Sequence, residues 1–209
     1  MFKFDPSEQE VFVKGVYSSV DEAISAELAR LSREDSILSS CQPGCSYCCR
    51  YHILTNVLEA HTLAQYLRRE LPLELIEDLR TRTLQWHEWD NSRPGRYPPR
   101  GLDGRKDLSK YDPCCPLNVD GACIAYPVRP IVCRTHFVCS HPLFCCKASN
   151  SQTSEKAPVL LASVLTKTSP LSKVIRDRIE TAGLDYSRSI MLLPQWLATE
   201  MGWDFAMYP

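Results

Sequence analysis

The sequence predicts a mainly α domain, with an irregular α+β fold as the alternative, built around a turn-rich region of clustered cysteines. Apolar residues recur at helical spacing on both sides of the centre of the chain. Proline and glycine turn signals concentrate among the cysteines. The 209 residues fit a single domain over 1–209, with a cysteine core at 41–146 that holds all 11 cysteines and helical arms at 17–40 and 157–209.

Three helices are predicted in the first half of the chain. Ser18–Ser19 is a capping pair for a helix that ends near Ser39–Ser40. The spacing of apolar residues predicts a second helix over 56–71, with His61 on its apolar face, and a third from Pro72 to about residue 88.

The second half of the chain is predicted to contain turns and then helices. The stretch 91–110 carries three prolines and three glycines and is expected to be an irregular loop. Asp120-Gly121 indicates a turn that brings Cys115 and Cys123 face to face. Ser169-Pro170 is typical of the start of a helix, here one that runs through Ile179 and ends near Gly183. A last short helix is predicted over 191–201, around Pro194.

Charge and composition exclude several classes of function. Twenty-four basic and 25 acidic residues give a net charge of −1, so no nucleic-acid partner is expected. The longest apolar stretch, Val159 to Leu165, is too short to span a membrane, and the polar N-terminus does not resemble a secretory leader. We therefore expect a cytoplasmic location. In a reducing compartment, clustered cysteines indicate metal or redox chemistry rather than disulfides.

The first cysteine motif is Cys41-Gln-Pro-Gly-Cys45-Ser-Tyr-Cys48-Cys49. Proline and glycine bend the backbone between the cysteines, so that several sulfurs can point toward one centre. Soft thiolates in such an arrangement bind zinc or iron. Because side chains of adjacent residues diverge, Cys48 and Cys49 are not expected to complete the same tetrahedron with Cys41 and Cys45. We expect one site made from both cysteine groups, and allow for a second.

The second motif runs from Cys115 through Cys123 to Cys133 and contains Arg129 and Arg134. Four thiolates around a divalent ion leave a net charge of −2, which needs cations or N–H donors near the sulfurs. The two arginines are the candidate cofactor-binding residues for this reason. Solvated surface arginines are the alternative.

Together the two motifs resemble the zinc- or iron-chelating cysteine-cluster family, the YkgJ-like proteins. The resemblance covers C-x3-C-x2-C-C at 41–49 and, some 65 residues later, C-P-L-x5-C-x2-Y-x2-R-P-x2-C-R at 115–134. It implies a small intracellular metal-binding domain with a zinc ion or an iron–sulfur cluster. Some relatives of the pattern are flagellin lysine methylases with an iron–sulfur cluster.

The resemblance also implies which cysteines are ligands. Seven positions match the pattern: Cys41, Cys45, Cys48, Cys49, Cys115, Cys123 and Cys133. Cys139 is added as an eighth metal ligand by proximity alone. Cys114, Cys145 and Cys146 lie outside the pattern, and their role stays open. His136 and His141 lie among the second group and are candidates to replace a cysteine.

Two alternative functions stay open. Cys41, Cys45, Tyr47 and Cys48 also fit the C-x3-C-x-aromatic-C pattern of radical S-adenosylmethionine enzymes, although no Gly-Gly pair occurs in the chain. The other alternative is a zinc-stabilised protein-interaction module without catalysis, since no familiar acid–base or nucleophile motif is present.

Overall fold

The structure is a computed structural model that describes residues 6–42, 44–92, 114–145 and 157–205. It confirms a mainly α fold with very short strands. The helices are α1 Pro6–Glu34, α2 Val57–Glu70, α3 Leu73–Ser92, α4 Ile131–Arg134, α5 Ala162–Thr181 and α6 Leu193–Met201. The strands are β1 Leu54–Thr55, β2 Asn118–Val119, β3 Ala122–Cys123 and β4 Met191–Leu192.

Helix α1 begins 12 residues earlier than the predicted cap at Ser18–Ser19. The prediction is wrong because the two hydroxyls do not cap a helix start. Ser18 donates to the carbonyl of Lys14 and Ser19 to that of Gly15, one turn back in the same helix. Serines that bond backwards are compatible with a helix interior.

Helix α1 also ends before the predicted Ser39–Ser40. Ser36 adopts a φ of +54°, which takes the chain out of the helix. The backbone N–H groups of Asp35 and Ile37 both donate to the carbonyl of Leu31, at 3.1 and 3.0 Å. This turn sends the chain toward the first cysteines.

Helices α2 and α3 agree with the predicted spans. The side chain of Asn56 caps α2 by accepting the N–H groups of Leu58 and Glu59, both at 3.1 Å. Leu71 and Pro72 separate the two helices. Helix α3 continues to Ser92, a few residues beyond the expected end.

Helix α5 does not begin at Ser169-Pro170 as predicted, because Pro170 lies inside it. A proline in a helix interior removes one backbone hydrogen bond and is normally unfavourable. Here the helix is held on both sides of the proline by packing on α1. Its side chains Val164, Ile175 and Ile179 are almost completely buried.

The helices pack into one apolar body that carries the cysteine segments. Helix α1 packs against α5 and α2, and α6 covers α2 and α3. Strand β1 pairs antiparallel with β4, so the segment after the first cysteines is joined to the start of α6. Trp196 of α6 donates to the carbonyl of Thr55 at 3.1 Å, which fixes the same junction.

Two predictions cannot be compared with the structure. The predicted loop over 91–110 lies outside the described residues from residue 93 onward, and so does Cys146. Within the described ranges, no helix combines the length and the apolar character needed to cross a bilayer.

Candidate metal centre

Six cysteines from both motifs line one cavity of about 440 Å³. Three come from the first motif and three from the second: Cys45, Cys48, Cys49, Cys115, Cys123 and Cys133. The two motifs are held together by backbone bonds, since the N–H of Cys115 donates to the carbonyl of Cys49 at 2.8 Å. The structure therefore brings together residues that lie more than 60 positions apart in the chain.

The first three thiols, of Cys45, Cys48 and Cys49, are positioned by a glycine in the left-handed conformation and by one 3₁₀ turn. Gly44 has a φ of +85°, a conformation that glycine adopts without strain. The N–H of Cys45 closes this turn by donating to the carbonyl of Gln42 at 3.0 Å. A 3₁₀ turn over Tyr47–Arg50 follows, and it leaves both Cys48 and Cys49 on the cavity wall. The expected divergence of this adjacent pair does not take either residue out of the cavity.

A two-residue hairpin positions the next thiols. Strands β2 and β3 pair antiparallel, with Asn118 opposite Cys123. Asp120 and Gly121 have φ values of +50° and +83°, as two-residue hairpins favour. The predicted turn at Asp120-Gly121 is confirmed, but the residue opposite Cys123 is Asn118 and not Cys115. Cys115 lies just before the hairpin, where its carbonyl accepts the N–H of Asn118 at 2.9 Å.

Cys133 lies in the short helix α4. Pro130 precedes this helix with an extended backbone, and its carbonyl accepts the N–H groups of Cys133 and Arg134. The side chain of Thr135 donates back to the carbonyl of Ile131 at 3.0 Å. These bonds hold the single turn of helix that contains Cys133.

The surroundings of the thiols shift their pKa values in different directions. Burial raises the pKa of Cys115, Cys123 and Cys133, because a thiolate is poorly solvated in an apolar cavity. The S–H groups of Cys114 and Cys48 point toward Cys49, which lowers the pKa of Cys49. Metal binding would have to displace the protons of the buried thiols, so affinity would rise with pH.

Two buried nitrogen atoms on the cavity wall have no hydrogen-bond partner in the part of the chain that the structure describes. They are Nε of Arg129 and Nδ2 of Asn118, although the Asn118 side chain lies close enough to the Cys49 thiol to help lower its pKa. The guanidinium of Arg129 lies 3.9 Å from the centre of the Tyr126 ring, which holds it at the cavity. Buried donors without an acceptor are costly, and they fit a cavity occupied by a group with anionic acceptor atoms.

Arg134, the second predicted cofactor-binding arginine, does not line the cavity. Its Nη1 pairs with Asp21 at 2.6 Å, and its Nε donates to the carbonyl of Arg129 at 2.9 Å. Its guanidinium also stacks 4.1 Å from the centre of the Tyr17 ring. Arg134 thus anchors the backbone at Arg129 to helix α1.

Two of the predicted ligand cysteines lie outside the cavity. The sulfur of Cys41 accepts the N–H of Val138 at 3.4 Å and faces the carbonyl of His136 at 3.9 Å. Cys139 is exposed, and its S–H points to the carbonyl of Val159 at 3.6 Å. Both sulfurs are engaged with backbone at the edge of the cysteine core.

The structure places one of the two histidine candidates at the cavity and adds neighbours that the motifs did not indicate. His136 lines the cavity, and its Nε2 lies 4.0 Å from the sulfur of buried Cys145. His52 and Asn118 also line the cavity, and only the position of Asn118 beside the hairpin turn could have suggested this from the sequence. His141, the other histidine candidate, is exposed.

The ten cysteines within the described ranges are all free thiols. In the same residues, no three or more His, Cys, Asp or Glu side chains converge in an arrangement that could hold a single metal ion. The cavity is therefore a collection of thiols around a space, rather than a closed tetrahedron.

Comparisons with known proteins leave the family unassigned. No protein-family model matches the chain. No curated protein and no solved structure matches it either. The resemblance to the YkgJ-like proteins accordingly stays a prediction that depends on the two cysteine motifs.

Proposed function

We propose that this chain is an iron–sulfur protein of the YkgJ-like kind, with the cluster held in the cysteine-lined cavity. The observation that supports this most directly is that six thiols and two unsatisfied N–H donors surround one space of about 440 Å³. Soft sulfur donors without carboxylates suit iron–sulfur clusters and zinc. The choice between these two depends on the size of the space and on the donors.

The size of the cavity favours a cluster over one ion. A zinc ion lies about 2.3 Å from each thiolate sulfur, so its four sulfurs enclose almost no empty volume. A cluster of four irons and four sulfides separates its cysteine ligands more widely. Four thiols suffice for such a cluster, and the cavity offers six.

The unsatisfied donors favour a cluster as well. Bound sulfide and thiolate sulfur accept N–H hydrogen bonds, which tune the reduction potential. Arg129 Nε and Asn118 Nδ2 would supply two such bonds at the cavity wall. Arg129 would in addition offset part of the negative charge of the thiolates.

The cysteines that line the cavity also bear on the two alternative functions. The radical S-adenosylmethionine pattern needs Cys41, Cys45 and Cys48 on one cluster, yet Cys41 does not line the cavity. The zinc-stabilised module has one observation in its favour. The thiols of Cys48 and Cys114 both lie close enough to Cys49 to lower its pKa, although no three side chains of the described residues converge on one ion.

A reducing compartment such as the cytoplasm would suit this function. Ten free thiols within the described ranges would oxidise outside such a compartment. The proposal includes no membrane or nucleic-acid partner. A protein partner that exchanges electrons with the cluster is compatible with it.

Spectroscopy of anaerobically purified protein tests the proposal. We expect brown protein with broad absorption near 400 nm and matching amounts of iron and acid-labile sulfide. Colourless protein with stoichiometric zinc would overturn it in favour of the zinc module. Protein that binds neither metal after anaerobic reconstitution would exclude both.

A further inference from the structure

A buried carboxylate on helix α2 contacts α4, the short helix that carries Cys133 to the cavity. Glu59 is 5% exposed, and both of its oxygens accept two hydrogen bonds. Oε1 accepts the backbone N–H of Ile131 at 2.7 Å and the hydroxyl of Tyr17 at 3.2 Å. Oε2 accepts the amide of Asn56 at 2.6 Å and the hydroxyl of Thr55 at 3.2 Å.

All four of these donors are neutral groups. Burying a carboxylate among neutral donors costs more free energy than pairing it with a cation. Burial accordingly raises the pKa of Glu59, while the bonds from Ile131, Thr55 and Tyr17 oppose that rise. A neutral residue of the same shape would avoid this cost. We therefore ask which part of the structure the carboxylate holds in place.

What it holds is the helix that carries Cys133. Ile131 is the first residue of α4, and Cys133 lies two residues further on. A helix of four residues is not stable by itself, and its first N–H groups have no partner within the helix. Glu59 satisfies the first of them from the neighbouring helix α2. The same oxygen is tied to Tyr17 on α1.

The position of Glu59 also places charge near the cavity. Glu59 interacts electrostatically with Cys133, and Arg134, whose Nη1 is paired with Asp21, offsets part of the Glu59 charge. A negative charge in a buried position stabilises the oxidised state of a metal centre relative to the reduced state.

We propose that Glu59 is a positioning residue of the metal centre, which fixes Cys133 through the Ile131 N–H and lowers the reduction potential of the bound cluster. This inference rests on the proposed function. It assigns the carboxylate no contact with the cluster itself.

The substitution Glu59→Gln tests both parts, with Glu27→Gln as the matched control. Glu27 is 4% exposed as well, but it pairs with Arg30, whereas Glu59 accepts the N–H of Ile131 in α4. In anaerobically reconstituted protein, E59Q should show a more positive reduction potential in a spectroelectrochemical titration. It should also release iron to a chelator several-fold faster than wild type. E27Q should match wild type in both measurements.

The outcomes separate this inference from the proposed function. Wild type without a cluster overturns the proposed function. Wild type with a cluster, together with an E59Q variant of unchanged potential and unchanged iron release, overturns only the role of Glu59. A shift of the reduction potential of the same size in E27Q would also overturn the role of Glu59. The loss of any buried carboxylate would then have the same effect.

A second variant covers the case in which E59Q does not fold. Ile131→Pro removes the N–H that Glu59 accepts and keeps the carboxylate. Proline suits the first position of a helix, and Pro130 already has the extended backbone that a following proline requires. I131P should release iron faster than wild type with a smaller change of potential. Unchanged iron release would contradict the positioning role.

Discussion

The helical body and the cysteine core of this protein are stabilised by different kinds of contact. In the body, α1 and α5 bury continuous rows of apolar side chains such as Val13, Val20, Ile175 and Ile179. In the core, turns, short strands and a four-residue helix surround a space lined by thiols. The difference teaches that the body is held mainly by the burial of apolar side chains. The shape of the core depends instead on hydrogen bonds between its turns.

The largest expected effect separates the cavity thiols from the outer thiols. Cys133→Ser should abolish metal binding, because Cys133 lines the cavity and a serine oxygen is a much harder donor than a thiolate. Cys139→Ser, at an exposed position outside the cavity, should keep wild-type metal content. Metal analysis of both purified variants is the measurement. Equal losses would mean that the cavity is not the site.

A core substitution should affect the body without changing the chemistry of the site. Ile179→Ala in α5 removes a completely buried side chain that packs in the apolar core. We expect a loss of about 2–5 kcal/mol in the free energy of unfolding. Metal stoichiometry of the folded fraction should not change. Denaturant unfolding and metal analysis check the two parts, and a loss of metal from folded I179A would show that body and core are coupled.

A turn substitution should affect the core more than the body. Gly121→Ala places a side chain at a φ of +83°, which costs about 1–2 kcal/mol even though a Cβ there meets only Ser46 Oγ at 3.9 Å. Because this turn sets the position of Cys123, metal should be released faster. Gly15→Ala is the control, since it adds a Cβ in open space inside α1 and should raise stability by about 0.5–1 kcal/mol. Thermal melting and chelator competition measure both.

The smallest expected effect concerns an ion pair at the surface of the body. Arg69 and Lys14 lower the pKa of Glu10 to about 2. A lowered pKa adds stability above the pKa of the unfolded chain, near 4.5. This stability disappears as the pH falls through the folded value. Glu10→Gln should therefore cost at most about 1 kcal/mol at pH 7, and the difference from wild type should vanish between about pH 5 and pH 2. Unfolding titrations at several pH values measure it, and a constant difference would contradict it.

The sequence predicts those parts of the fold that depend on neighbouring residues. Helix α2 and the hairpin turn follow from a capping asparagine and from Asp120-Gly121, whose effects are local. Local signals mislead at Ser18–Ser19 and at Ser169-Pro170, where packing between α1 and α5 overrides them. A cap signal in the sequence cannot reveal a partner helix 150 residues away.

Some residues of the candidate site could likewise be predicted from the sequence, and others could not. The convergence of Cys45 and Cys133 on one cavity agrees with the motifs. His136 was a candidate from its place among the second cysteines, and the hairpin turn could have suggested Asn118. The position of Glu59 was not predictable, because it depends on contacts between segments that are distant in the chain. In the sequence, Glu59 is an ordinary charged residue in the first turn of a helix. Only the structure shows that it accepts the N–H of Ile131.

The pairing of α1 with α5 has a consequence for synthesis on the ribosome. The apolar face of α1 meets its main partner only when the chain has been made to about residue 180. At roughly 5–20 residues per second, the nascent chain would wait on the order of ten seconds before this contact could form. All the thiols are synthesised during that interval, before α1 and α5 can pack together.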